Sequence, residues 1–231
     1  MRPPTEPIAN IVQVAGIRSE PEAQMLVESG VDWLGFPHGL DVHAEDLPPD
    51  EAARIIRRVP RPARCILITY HALAIELIRL GARLGIAGIQ LHGPIHVREV
   101  RRLKQFRPHW FLVKSLVIRP GNLADLCVDI RTFSPLVDAF ITDTFDPATG
   151  ASGATGQTHD WTISRRLVAE SPRPVILAGG LTPANVAAAI RWVQPAGVDA
   201  HTGLEDAAGN KDAARVRAFV EKARRAFGQR E

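Results

Sequence analysis

The chain has 231 residues, of which 45% are hydrophobic and 23% charged, and its 28 basic and 25 acidic side chains leave a formal charge of +3. This composition is that of a globular protein with a sizeable core, and it excludes disordered, collagen-like and coiled-coil chains. The basic residues are scattered over predicted helix faces, so no nucleic-acid partner is expected. No apolar run reaches the roughly 18 residues that cross a bilayer, and residues 1–10 lack the pattern of a signal peptide. We therefore expect a cytoplasmic protein that does not bind membranes.

The two cysteines, Cys65 and Cys127, are too few for a disulfide framework and form no CxxC motif. A zinc or redox site is therefore not expected, and both side chains are predicted to fill the core. No sequence feature calls for a cofactor, and none indicates an oligomeric state.

Short apolar or β-branched runs alternate with longer segments whose apolar residues recur three and four apart, which is the pattern of βα units around a parallel sheet. Eight runs are predicted as strands: Ile11–Ala15, Trp33–Phe36, Cys65–Thr69, Gly88–Leu91, Phe111–Leu116, Ala139–Thr142, Val175–Ala178 and Val198–Ala200. The predicted helices between and after them are Glu20–Ser29, Pro49–Arg58, Leu73–Leu84, His96–Phe106, Asn122–Phe133, Trp161–Glu170, Ala184–Val193 and Asp212–Phe227.

The number of units predicts the fold. Eight βα units in this chain average about 29 residues each, close to the unit size of a TIM barrel. We therefore predict an α/β protein with one (β/α)8 TIM barrel domain over residues 1–231. An open, doubly wound sheet is the alternative. It calls for a GxGxxG fingerprint after the first strand, and Gly16-Ile17-Arg18 lacks that spacing.

The active site of such a barrel lies at the carboxyl ends of the strands, so the polar residues there are the functional candidates. They are Gln13, His38, His43, Tyr70, His71, Gln90, His92, Lys114, Ser115, Asp143, Thr144, His201 and Thr202. Asp143 stands where a carboxylate can act as general acid or base. The histidines suit anion binding or proton transfer, whereas a metal site lacks the support of an HxH or HxxxH pair on one element. Substrate contacts are predicted for Gln13, His92, Lys114 and Thr202.

The clearest single motif is a pair of glycines, Gly179 and Gly180, between the seventh strand and the helix that follows it. Glycine lets a backbone approach a ligand closely, and the N–H groups at a helix amino end attract anions. Together with Gly203 after the eighth strand, the pair predicts the phosphate site that barrels commonly form at this place.

A second glycine-rich stretch, residues 149–158, follows the sixth strand and is too long for a plain connector. Its Gly153, Thr155 and Gly156 are predicted either to add backbone N–H groups to the phosphate site or to belong to a mobile lid.

Four motifs, in this order along the chain, resemble those of the phosphoribosylanthranilate isomerase family. QLHG at residues 90–93 matches the family's fourth strand, and Asp143 followed by GATGQTHDW at 153–161 resembles its aspartate and GGTGxxFDW. AGGLTPANV at 178–186 resembles AGGLxPxNV, and residues 197–212 resemble GVDxSSGVExxxGxKD. The resemblance implies a barrel that performs an aldose–ketose (Amadori) isomerisation of an aminoribosyl phosphate in tryptophan biosynthesis, with Asp143 as the acid.

Two positions depart from the family pattern. Ala15 occupies the place of the cysteine that the family uses as its base, and an alanine cannot take a proton. The loop Pro37–His43 has no arginine where the family's arginine holds the anthranilate end of the substrate. Since imidazole is a competent base, we predict that His38, His43 or His201 replaces the cysteine.

Three functions remain open at this stage, all with a small phosphorylated sugar as partner. The first is the isomerase. The second is another barrel reaction on a phosphorylated sugar, by an epimerase or aldolase that uses Lys114 or the histidines. The third is a non-catalytic phosphosugar-binding paralogue that kept the scaffold and lost the base.

Overall fold

Eight parallel strands close into a barrel in the order in which they follow along the chain. The computed structural model describes residues 8–39, 46–145 and 156–229. The strands are β1 (Ile11–Ala15), β2 (Trp33–Pro37), β3 (Arg64–Thr69), β4 (Gly88–Leu91), β5 (Phe111–Ile118), β6 (Ala139–Thr144), β7 (Val175–Leu177) and β8 (Gly197–Ala200). Pairing of β8 with β1 completes the barrel, so the predicted TIM fold is confirmed and the open sheet is wrong.

A helix follows each strand and packs on the outside of the barrel. The helices are α1 (Glu20–Glu28), α2 (Pro49–Ile56), α3 (Ala74–Leu84), α4 (Val97–Phe106), α5 (Leu123–Phe133), α6 (Trp161–Glu170), α7 (Val186–Val193) and α8 (Ala213–Gly228). Within the described ranges, no helix is both long and apolar enough to cross a membrane. Cys65 lies in the core between strands and helices, where burial raises the pKa of its thiol to about 12.

Side chains alternate along each strand between the barrel axis and the helices. The axis is filled by a small apolar layer, in which Trp33 and Phe111 meet edge to face with ring centroids 4.9 Å apart. Residues of the opposite phase, such as Leu112 and Phe140, join the larger core beneath the helices. The alternation therefore decides which polar residues of β5 and β6 face the axis above the apolar layer.

Some boundaries differ from the predicted ones in a way that matters for the site. Strands β5 and β6 each run two residues further than predicted, because Val117 pairs with Asp143 and Ile118 with Thr144. Asp143 is thus held inside a strand. Helix α7 begins at Val186, two residues later than predicted, because the Thr182 N–H donates to Asn185 Oδ1 (2.8 Å) and forms a turn first.

Candidate active site

A chain of hydrogen-bonded polar side chains crosses the barrel above its apolar layer. Gln13 Nε2 donates to Gln90 Oε1 at 3.0 Å, and Gln90 Nε2 donates to Ser115 Oγ at 3.3 Å. His92 Nδ1 lies 3.0 Å from the same Ser115 oxygen. All four side chains are buried. Because buried polar groups are costly unless they are paired, this network holds its members in fixed orientations.

Asp143 lies at the end of this network. Its Oδ2 atom is 3.9 Å from His92 Nδ1, and its Oδ1 atom accepts the Thr144 backbone N–H at 2.8 Å. Burial raises the pKa of the carboxyl group, and the nearby His92 and the Thr144 N–H oppose that rise. A raised pKa brings a carboxyl group closer to the range in which it can donate a proton as a general acid.

A second buried carboxyl group, Asp199, belongs to the same layer and was missed in the sequence analysis. It lies on β8 in register with Gln13. Burial, with the negative charge of Asp143, raises the pKa of Asp199 to about 7, and a hydrogen bond from Gln13 opposes the rise. The polar residues selected for β8 were His201 and Thr202, which follow the strand, whereas Asp199 lies within it. Asp199 comes two residues before His201, so both side chains lie on the same face of β8, and this spacing was the available signal.

His201 lies against the end of the first strand. Gly16 has a φ of +78°, and a Cβ atom on it would be only 2.0 Å from His201 Nε2, so the ring occupies the space beside Gly16. The same nitrogen is 3.3 Å from Glu205 Oε1, an atom that also accepts Lys211 Nζ at 2.6 Å. The imidazole is therefore next to Ala15 in space and has a carboxylate partner.

The other two histidines predicted as catalytic are not supported in the same way. His43 lies outside the described residues. His38 is 1% exposed, and its backbone N–H donates to the Ile68 carbonyl. It is in phase with Leu34 and Phe36, which pack beneath the helices. Of the three histidines, His201 has the contacts that suit a base, because its ring lies at the end of β1 and has a carboxylate partner.

Lys114 was predicted to contact substrate, and the structure places it elsewhere. It is in phase with Leu112 and points toward the helix layer. Its ammonium donates to the carbonyls of Leu91, Gly93 and Ser115 at 3.0–3.2 Å, and burial lowers its pKa to about 8. Lys114 therefore braces the ends of β4 and β5 and does not face the barrel axis. Adjacent residues of a strand face opposite sides, so Ser115 faces the axis instead.

Glycines let the loops after β6, β7 and β8 approach one another closely. A Cβ atom on Gly180 would lie 2.5 Å from the Gln157 carbonyl carbon, and one on Gly203 would lie 2.1 Å from the Leu181 oxygen. The position of a Gly156 Cβ is 3.4 Å from Thr202 Oγ1. These glycines let the three loops meet at one place, and a phosphate site built from backbone N–H groups requires such a close approach.

The predicted members of this phosphate site fall into two groups. Gly156, Gly179, Gly180, Thr202 and Gly203 belong to the described loops, and both residues of the Gly179-Gly180 pair have positive φ angles of +103° and +61°. Gly153 and Thr155 lie outside the described residues.

Replacing Gly180 by Ala is expected to weaken phosphate binding. Its φ of +61° strains any L-residue, and the added Cβ also meets the Gln157 backbone. Gly85→Ala is the matched control, because Gly85 has a φ of +75° with no atom within 4 Å of its Cβ position. Both variants lose about 1 kcal/mol or more of stability. Only Gly180→Ala should lose the thermal stabilisation that inorganic phosphate gives the wild type. Equal phosphate protection in both variants would contradict this role.

His159 joins the loop after β6 to the strand that carries Asp143. Its Nδ1 lies 2.9 Å from Thr144 Oγ1, and its Nε2 lies 2.6 Å from Ser164 Oγ. Burial lowers the pKa of His159 to about 4, so the ring is neutral at physiological pH. A Cβ on Gly179 would be 3.0 Å from the same Nδ1 atom. The His159 ring therefore contacts β6, the strand that carries Asp143, and also lies against the Gly179-Gly180 pair.

The depressed pKa of His159 predicts a pH dependence of folding. The folded ring takes up a proton only near pH 4, whereas the unfolded ring does so near 6.5. Its contribution to stability is present above pH 6.5 and is lost as the pH falls toward 4. Urea unfolding at pH 7 and pH 5 should show a smaller difference in His159→Phe than in the wild type. An unchanged difference would mean that His159 does not set this dependence.

Known proteins resemble this chain over almost its whole length. The family model for N-(5'phosphoribosyl)anthranilate (PRA) isomerase matches residues 12–222. The chain belongs to this family. Its relatives include the N-(5'-phosphoribosyl)anthranilate isomerase 2 of Methanosarcina mazei, which is 39% identical over 94% of this chain and 95% of that protein. The isomerase of Haloferax volcanii is 34% identical over 94% of both chains.

Solved structures of the PRA isomerase family share the fold. The crystal structure of the phosphoribosyl anthranilate isomerase from Thermotoga maritima matches with a TM-score of 0.79 at 25% identity, and covers 93% of this chain and 98% of that one. The resemblance predicted from the four motifs is therefore confirmed.

Within the family pattern, two departures of this chain lie side by side. Ala15 stands in the place of the cysteine, and His201 stands in the place of the first serine of GVDxSSGVE. The ring of His201 packs against Gly16, the residue that follows Ala15. At this end of β1, the chain has an imidazole in the space beside the position where the family has a thiol.

Proposed function

We propose that this protein isomerises N-(5'-phosphoribosyl)anthranilate to the corresponding 1-(o-carboxyphenylamino)-1-deoxyribulose 5-phosphate, a step of tryptophan biosynthesis. Family membership and the names of the relatives support this substrate. The observation that carries the proposal is the buried Asp143, whose pKa is raised, at the end of the polar network that includes His92. The glycine loops after β6, β7 and β8 supply a place for the 5'-phosphate.

Asp143 supplies the acid in the first step. Its proton goes to the ring oxygen of the aminoribose, the C1–O bond breaks, and the nitrogen lone pair forms the C1=N bond of an open-chain iminium. The raised pKa favours the protonated form of the carboxyl group, and the Thr144 N–H stabilises the carboxylate left behind.

His201 supplies the base in the second step. Its imidazole takes the proton at C2, the C–H electrons form a C1=C2 bond, and the C=N pair returns to nitrogen. The resulting enol loses its hydroxyl proton while C1 gains one, which leaves a ketone at C2. The electrons and atoms balance without an oxidant. Glu205, 3.3 Å from His201 Nε2, stabilises the imidazolium formed in between.

The aldolase alternative has lost its main support. It used Lys114 as a nucleophile toward a carbonyl, and that ammonium faces the helix layer, where it donates to three backbone carbonyls.

Turnover of the proposed substrate tests the function. Purified protein mixed with N-(5'-phosphoribosyl)anthranilate should abolish the substrate's fluorescence faster than a blank does. The Gly180→Ala variant should need more substrate to reach half its maximal rate. A wild-type rate equal to the blank, with phosphate still raising the melting temperature, would contradict the isomerase and favour the phosphosugar-binding paralogue.

A further inference from the structure

An arginine and a phenylalanine lie one layer above Asp143 at the mouth of the barrel. The ladder between β5 and β6 pairs Val117 with Asp143, and it continues because the Phe145 backbone N–H donates to the Ile118 carbonyl at 3.2 Å. Arg119 and Phe145 are therefore in phase with Val117 and Asp143, the residues of this ladder that face the barrel axis.

The two side chains form a stacked pair. The Arg119 guanidinium carbon lies over the Phe145 ring, 4.6 Å from its centroid. Arg119 is exposed and Phe145 is half-buried. A cation–π contact of this kind orients the guanidinium and leaves its hydrogen-bonding capacity for an anion.

Among the described residues, the Arg119 guanidinium has neither a carboxylate nor a carbonyl partner, which sets it apart from other cations at the mouth. His201 and Lys211 share the carboxylate of Glu205. Arg18 donates to the carbonyls of the loop before α8. The guanidinium is thus oriented by an aromatic ring and still has its charge available.

We propose that Arg119, stacked on Phe145, binds the aromatic carboxylate of the substrate. This inference rests on the proposed function and names its specificity-determining residue. Guanidinium groups hold carboxylates with two parallel hydrogen bonds, and the Phe145 ring offers an apolar surface for the substrate's own ring. The loop Pro37–His43, which contains no arginine, cannot supply this contact.

The order of groups along the sheet agrees with the order of groups in the substrate. The reacting carbons of an anilino-ribose phosphate lie between its aromatic ring and its phosphate. In the barrel, Asp143 on β6 lies between Arg119 after β5 and the glycines after β7 and β8. A substrate that extends from those glycines to Arg119 therefore places its reacting carbons at the acid.

Binding of two inert ligands tests the inference without requiring turnover. One is the reduced product analogue, in which an alcohol replaces the ketone, and the other is the same molecule without the ortho-carboxylate. Titration calorimetry should show that Arg119→Gln lowers the affinity for the ligand with the carboxylate about 10- to 100-fold. The affinity for the ligand without it should stay within about twofold of the wild-type value. Arg119→Lys keeps the positive charge but cannot form two parallel hydrogen bonds, so its affinity for the carboxylate ligand should lie between those of the wild type and Arg119→Gln. Arg79→Gln, an exposed arginine on α3, is the matched control and should change neither affinity.

The outcomes separate this inference from the proposed function. If the wild type binds both ligands and Arg119→Gln changes the two affinities equally or not at all, the carboxylate assignment is overturned while the isomerase stands. If the wild type binds neither ligand, the proposed function is overturned and the assignment falls with it.

Discussion

Replacing Asp143 by Asn is expected to reduce turnover at least 10²- to 10⁴-fold while the fold persists. Asparagine keeps the shape of the side chain and an oxygen for the Thr144 N–H, but it has no proton to give to the ring oxygen. The effect should fall on kcat, because the glycine loops proposed to hold phosphate do not include this residue. Steady-state kinetics measure the loss of kcat, and circular dichroism together with thermal stabilisation by phosphate shows whether the fold persists.

The same substitution at an exposed site controls for the chemistry of the change. Asp125 lies on the outer face of α5, and Asp125→Asn should leave kcat at the wild-type value. Removing the charge of Asp143 also removes a cause that raises the pKa of Asp199, so the pKa of Asp199 should fall in Asp143→Asn. A kcat near the wild-type value in Asp143→Asn would show that the acid lies elsewhere.

Replacing His201 by Gln is the second change expected to have a large effect. The base must take a proton from carbon, and without it the rate should fall about 10²- to 10⁴-fold. His109→Gln is the matched control, because His109 is an exposed histidine before β5 at the opposite end of the barrel.

A rescue experiment separates a catalytic role of His201 from a structural one. Ala15 faces the axis, and its Cβ is 3.2 Å from the position of a Cβ on Gly35. Ala15→Cys places a thiol beside the space that the His201 ring vacates, and a thiol can serve as a base. Part of the lost kcat should return when Ala15→Cys is added to His201→Gln. Loss of kcat without any rescue, or no loss in His201→Gln, would contradict this assignment.

The sequence is enough to predict the barrel because its eight apolar runs and the helical repeats between them are unambiguous. It also leads to Asp143 and to the glycine pair, Gly179 and Gly180, since both stand next to predicted strand ends. The errors come from strand phase and strand length. Lys114 and Ser115 are neighbours on β5, and only one of them can face the axis. Arg119 was missed because β5 extends two residues beyond its predicted end.

The contact between His201 and Gly16 could not be predicted from local patterns either. The two residues lie at opposite ends of the chain and meet only because β8 pairs with β1. A positive φ at Gly16 makes room for the ring, and neither periodicity nor motif spacing reports such a contact. Asp199 was missed for a related reason, because its burial depends on the closed barrel.

The fate of the substrate's second carbon tests the isomerase most directly. Purified wild-type protein and N-(5'-phosphoribosyl)anthranilate labelled with ¹³C at C2 are followed by NMR, which distinguishes the ketose from products of spontaneous hydrolysis. The expected result is a ketone carbon at C2 that forms much faster than in the blank and is nearly absent with Asp143→Asn. Formation of ribose 5-phosphate alone, at the rate of the blank, would contradict the isomerase.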